Sequence, residues 1–192
     1  GENDLSMMSV DALWAPTDNF DFRIIYDRID DKTPTRPVVS LTTAGEAFGG
    51  FGLGAVGKAS DALYTTYTSQ EQYAALRTDA ITIHANWQFA ENHKLALVFG
   101  DRETDELARQ EFDGVAADLF WTDRPTEENQ TSYELRLESD WSDSLRSTVG
   151  VFYWDGDYTL QQNTALFNIV NPLMGGAGID SGNISIADRY AV

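Results

Sequence analysis

The chain of 192 residues contains no cysteine. That excludes a disulfide framework and any thiolate metal site. It has only two histidines, His84 and His93. No run of about 18 apolar residues occurs, so no helix of the membrane-spanning kind is expected. Basic residues are scarce: 13 Lys and Arg stand against 31 Asp and Glu, a formal net charge of -18 with pI ≈ 4.2. Such a balance argues against nucleic acid, whose phosphates require a basic surface. It also argues against a protein lying on an anionic membrane surface. The opening GENDLSMM has neither the basic start nor the apolar core of a signal peptide. Mean hydropathy is -0.34, a weak guide for barrel strands, whose apolar residues are diluted by polar ones.

What is present is alternation. In ITIHANWQFAENHKLALVFG, Ile81, Ile83, Ala85, Trp87 and Phe89 share one parity, and Thr82, His84, Asn86 and Gln88 share the other. A period of two means a strand with two unlike faces. The same pattern predicts strands over residues 5–14, 20–28, 81–89, 95–99, 132–139 and 145–154, with a seventh starting near residue 188. Three connections are short and rich in turn formers: APTDN, AENH and DWSDS. The others are long, about 29–80, 101–131 and 155–187. The alternation of short and long connections predicts an antiparallel up-and-down meander with the tight turns at one end and the long loops at the other.

Aligned by parity, the apolar set holds no charge from Met8 to Trp14, Phe20 to Tyr26, Ile81 to Phe89, Leu95 to Phe99, Tyr133 to Ser139, and Leu145 to Tyr153. A soluble sandwich yields this pattern when that face is its core. Three features favour a membrane barrel, the first being tight turns at one end and long loops at the other, which is the outer-membrane arrangement. The strand candidates approach about ten residues, the length that crosses a bilayer at a tilt, whereas ordinary strands average about five or six. Aromatic residues also gather at strand ends. Trp14, Phe20, Trp87 and Phe89 flank the tight turns, and Tyr26, Phe99, Tyr133 and Tyr153 lie toward the long loops. That is the distribution of two interfacial girdles facing lipid. The opposite parity then faces the barrel lumen, with His84, Asn86, Gln88, Glu134, Arg136 and Glu138 as candidate lumen residues.

The hairpin TSYELRLESDWSDSLRSTVGVFYW resembles the barrel hairpins of TonB-dependent outer-membrane receptors. DALWAPTDNFDFRIIYDRIDD resembles an earlier hairpin of the same family, WQFAENHKLALVFGDRETD fits the next, and ADRYAV looks like the start of another strand. The resemblance implies a barrel of about 22 strands around an N-terminal plug. It also implies uptake of a scarce nutrient, a siderophore, cobalamin or glycan, powered by the inner-membrane TonB complex. No plug and no TonB box is recognisable here. Six or seven strands would leave open edges in lipid, which is untenable. Residues 1–192 are therefore read as part of one β-barrel domain, an internal fragment of a larger barrel.

Other motifs are weaker. GFGLGAVGKAS, residues 50–60, carries Gly52, Gly54 and Gly57 in a dinucleotide-like array, but no strand–loop–helix context surrounds it. Residues 69–77, SQEQYAALR, read as a short helix with Ser69 as cap and Gln72 closing a capping box. DRETDE and DGDY gather carboxylates without EF-hand spacing. Neither histidine is tied to a nucleophile or a third ligand. The expectation is an all-β transmembrane barrel segment of about six to seven strands in a bacterial outer membrane, and not an enzyme. No catalytic residue, metal or cofactor is assigned. Its partners would be outer-membrane lipid and lipopolysaccharide, the remaining barrel and plug, the TonB complex and a small nutrient ligand, but not nucleic acid. A soluble all-β binding or glycan-processing module is the alternative, and a passive outer-membrane channel a further one.

Overall fold

A computed structural model describes residues 4–39, 65–166 and 183–191. Among the described residues seven strands form: β1 (Leu5–Thr17), β2 (Phe20–Asp31), β3 (Tyr73–Ala90), β4 (His93–Glu111), β5 (Phe120–Ser142), β6 (Leu145–Leu166) and β7 (Asn183–Ala191). They form one sheet in sequence order, each antiparallel to the next. The protein is thus an all-β up-and-down meander. Among the described residues the sheet is open, ending at β1 on one side and β7 on the other.

The short connections close at residues 18–19, 91–92 and 143–144, all at one end of the sheet. Asp, Asn, Glu and Ser occupy these two-residue turns, and Asp, Asn and Ser hydrogen-bond readily to nearby backbone. A register irregularity accompanies each turn, between Trp14 and Thr17, Gln88 and Ala90, and Asp140 and Ser142. Such bulges tighten strand twist beside a turn.

At the opposite end the expected boundaries need correction. Residues 101–131 are not a loop. β4 runs to Glu111, β5 begins at Phe120, and only residues 112–119 connect them. The connections at 29–80 and 155–187 shrink likewise to 32–72 and 167–182, because β2, β3, β6 and β7 extend into them. Much of both connections, and the whole Gly52–Gly54–Gly57 array, lies outside the described residues. The carboxylate runs DRETDE and DGDY are strand, not loop mouth. The reason is physical: these outer halves are polar on both faces, so ladder hydrogen bonds form there without the alternating signature that marks a half-buried strand.

The helix expected over residues 69–77 is also absent, since Tyr73–Arg77 pairs with Arg109–Asp105 in β4. The amides that a helix N-terminus would leave free, those of Ser69 and Gln70, donate instead to Glu111.

β5 holds 23 residues and β6 holds 22. At about 3.3 Å per residue β5 is about 75 Å long. Pro125 sits within it, opposite Leu107 on β4, and pairing with β6 is interrupted at Arg124 and Pro125. A proline lacks the N–H such a pairing needs.

Candidate functional site

The registers stack the apolar parity into continuous rows across the sheet. One row is Phe20, Trp87, Leu95, Leu137 and Val149; the next is Trp14, Phe22, Ala85, Leu97, Leu135 and Val151. Above them runs Ala12, Ile24, Ile83, Phe99, Tyr133 and Tyr153. None of these rows contains a charge. Nothing in the described chain covers this face: Trp14 is 62%, Val149 66% and Val151 68% exposed. The few buried apolar side chains are small or remote, with Val115, Ala117 and Leu119 in the β4–β5 connection.

Aromatic rings bound the band on both sides. On the turn side Trp14 meets Phe20 edge-on with centroids 6.1 Å apart, and Trp87 meets Phe89 at 5.7 Å. Phe89 stacks on His93 at 5.8 Å, and His93 meets Trp141 at 5.1 Å. Trp141 also donates from Nε1 to Ser147 Oγ at 2.8 Å. On the loop side Phe99, Tyr133 and Tyr153 form a chain at 5.0 and 6.3 Å. Tyr26 donates its hydroxyl to Asp79, just beyond the band. The eight aromatic residues expected at strand ends therefore all lie on the apolar face. His93 and Trp141 complete the turn-side row. His93 is the first residue of β4 rather than part of the turn, and its parity with Leu95 was the available signal.

Band height follows from the register. Tyr133 and Trp141 are eight residue steps apart on β5, about 26 Å along the strand. At a tilt of about 40° this is about 20 Å of height, near the apolar band of about 25 Å on transmembrane barrels.

The other face carries all six candidate polar residues. His84 lies opposite Arg23 and Val98, Asn86 opposite Asp21 and Ala96, and Gln88 opposite Lys94. Glu138 lies opposite Lys94, with Arg136 and Glu134 following on the same strand. Charges here are matched side by side. Arg23 makes a forked ion pair with Asp11, and Asn86 Nδ2 donates to Asp21 Oδ1 at 2.9 Å. Arg136 Nε is 3.1 Å from Glu134 Oε1, and Lys94 Nζ is 4.0 Å from Glu138 Oε2. Gln88 instead donates to the Glu91 carbonyl in the turn. Asp11, Leu13, Asp21, Arg23, His84 and Asn86 surround an open concavity of about 520 Å³. The structure thus joins His84 and Asn86 in one hollow and leaves Glu134, Arg136 and Glu138 in a separate ladder. Gly150 permits that ladder: a Cβ there would lie 3.0 Å from Arg136 Cγ and 3.0 Å from the Leu135 carbonyl.

At the far end of β4 and β5 lies a cluster the sequence did not reveal. Glu111, 1% exposed, accepts hydrogen bonds from Ser69 N, Ser69 Oγ and Gln70 N. Burial and the neighbouring Asp113 carboxyl push Glu111 up to about 7. Asp113 itself accepts from Val115 N at 3.0 Å and Phe120 N at 2.8 Å, while Gly114 turns the chain at φ 65. Arg109 forks onto Asp123 at 2.6 and 2.6 Å and lies between the rings of Tyr73 and Trp121, 5.3 and 5.0 Å away. Its pairing with Asp123 raises the guanidinium further. These contacts stiffen the tip and pin the chain entering β3.

Among the described residues no group of three or more His, Asp or Glu side chains is placed to hold a metal ion. Asp101, Glu103 and Asp105 share a face but step along β4, as alternate strand residues must. Comparison with protein-family models, curated proteins and solved structures finds no match to this chain, so the functional reading rests on the two faces of its sheet.

Proposed function

We propose that this chain is part of the wall of an outer-membrane β-barrel receptor that imports a scarce nutrient. The observation that carries the reading is the uncovered, uncharged band bounded on both sides by aromatic rows. A soluble sandwich would lay a second sheet about 10 Å away over such a face. No described residue does so, and Leu95, Leu97, Leu135, Leu137, Val149 and Val151 form an apolar surface with no protein partner. Acyl chains supply the missing cover.

The polar face would line the lumen. Arg23–Asp11 and Lys94–Glu138 tie adjacent strands and Arg136–Glu134 pairs along β5, all where water would be present, so no charge needs to enter lipid. The long polar continuations of β4, β5 and β6 would stand above the membrane and present the loops to a ligand. A plug, the TonB complex and the siderophore, cobalamin or glycan cargo come from the resemblance of the hairpins to TonB-dependent receptors. Transport by such a wall requires no covalent chemistry from these residues. The open ends at β1 and β7 fit a piece of a larger barrel, whose further strands would pair with them.

Cell fractionation of the full-length protein tests the reading. The protein should sediment with the outer membrane, resist an alkaline carbonate wash and require detergent for release. Recovery as a monodisperse soluble protein without detergent would instead favour the soluble binding module.

A further inference from the structure

We propose that the polar face of β6, with β5 and β4 beside it, carries a saccharide-binding platform built on Trp154, Gly156 and Tyr158. The inference rests on the reading of that face as the barrel lumen and names the class of cargo.

The three residues share one face by strand alternation. Gly156 is what shapes it. A Cβ at that position would lie 2.7 Å from the Trp154 ring atoms Cη2 and Cζ2, so the indole lies down over the glycine. Trp154 is half-buried there. Tyr158 stands on the far side of Gly156. Trp154, Gly156 and Tyr158, with Glu128, Asn129 and Asp157, border an open hollow of about 370 Å³. Beyond Tyr158 a second hollow of about 160 Å³ is bordered by Glu106, Arg124, Thr126 and Leu160. The register sets Tyr158 opposite Glu128 and Gly156 opposite Gln130, which in turn faces Arg102. Two aromatic rings therefore sit among carboxylates that accept hydrogen bonds and beside the Arg124 guanidinium that donates them.

That combination suits a neutral polyhydroxylated ring. Each hydroxyl both donates and accepts, so it is satisfied only where both kinds of partner are within reach. The apolar face of a sugar ring covers an aromatic surface, while its edges meet Glu128, Gln130 and Arg124. An anionic ferric chelate would require a surplus of positive charge, and the chain carries -18. An organic cation could stack on Trp154 and would be drawn by Glu128, Asp157 and Glu106, but it would leave the donors of Gln130 and Arg124 without the acceptors that a hydroxylated ring supplies. The location also fits. Trp154 follows Tyr153 of the loop-side aromatic row, so the platform lies just beyond the apolar band, where cargo entering from the loops first meets the wall.

The test is saturation-transfer NMR on the full-length protein in an amine-oxide detergent. The probes are a panel of neutral gluco-, manno-, galacto- and xylo-trisaccharides, with choline and ferric citrate as the rival chemistries. At least one trisaccharide should receive saturation on its ring protons. Trp154→Ala and Tyr158→Ala should each weaken that binding about fivefold, the scale of one lost aromatic contact. Trp154→Phe, which keeps a ring, should retain most of it, and Trp141→Ala on the opposite face should retain all. No transfer to any trisaccharide, transfer indifferent to both alanine variants, or a response to choline or ferric citrate alone overturns the proposal. Those outcomes in a protein that still sediments with the outer membrane leave the barrel reading intact, whereas a detergent-free soluble protein removes both.

Discussion

Placing an arginine on the apolar face separates lipid from water as its neighbour. Leu137 lies midway between Tyr133 and Trp141 on β5, four steps from each aromatic row, and pairs with Val149. Both positions therefore sit near the middle of the band. An arginine at the midplane of a lipid-facing strand costs about 2–4 kcal/mol, falling to about 0–1 kcal/mol near the interfaces. Leu137→Arg and Val149→Arg should each destabilise the full-length protein by the larger amount. The exposure of Val149, 66%, makes the alternative sharp. Were that face wetted, substitution of so open a residue would change stability by about 0.5 kcal/mol or less. Thr148→Arg is the control, since Thr148 lies on the polar face opposite Glu138 and should be near neutral. Reversible urea unfolding in lipid vesicles, followed by tryptophan fluorescence, measures all three. A cost below about 1 kcal/mol at both Leu137 and Val149 would refute the assignment of this face to lipid.

Two further outcomes follow from contacts elsewhere in the sheet. Gly150→Ala should cost about 1–3 kcal/mol in the same assay, because the new Cβ meets the Leu135 carbonyl and Arg136 Cγ and cannot be relieved by a side-chain rotation alone; Gly100→Ala, which meets only the Ser132 hydroxyl, should be far milder. Glu111 is raised from 4.5 to about 7 when folded, so its contribution to holding the tip is full below about 4.5 and is lost as pH rises through about 7. Exchange of the Ser69 and Gln70 amides, corrected for intrinsic rate, should show less protection at alkaline than at mildly acidic pH. Glu111→Gln should flatten that dependence, and a pH response unchanged in the variant would show that another group governs it.

The hairpins were legible in the sequence because only one face of them is apolar. Ile81 to Phe89 alternates with Thr82 to Gln88, and that contrast fixes strand, face and register together. The alternation fades above Tyr133 and Phe99. There β4 reads DRETDELARQE and β5 reads FWTDRPTEENQ, polar on both sides and interrupted by Pro125, which looks like loop although the ladder continues. The platform at Trp154 was hidden for a different reason: alternation sends Tyr153 and Trp154 to opposite faces, but only the folded strand lays the indole over Gly156. The pin at Glu111 was hidden because its partners, Ser69 and Gln70, are 42 and 41 residues away. Local pattern offered them a helix cap instead.

The most direct test of the central claim compares the two faces of β3 at positions three residues, about 10 Å, apart along the strand. The chain has no cysteine, so single cysteines at Trp87 and His84 in the full-length protein can each carry one spin label. Collision with oxygen reports lipid, and collision with a water-soluble nickel complex reports water. The barrel account expects high oxygen access at position 87 and high nickel access at position 84. A label at position 87 shielded from both reagents would mean that its side chain lies in a protein core, and the outer-membrane assignment of this face would fall.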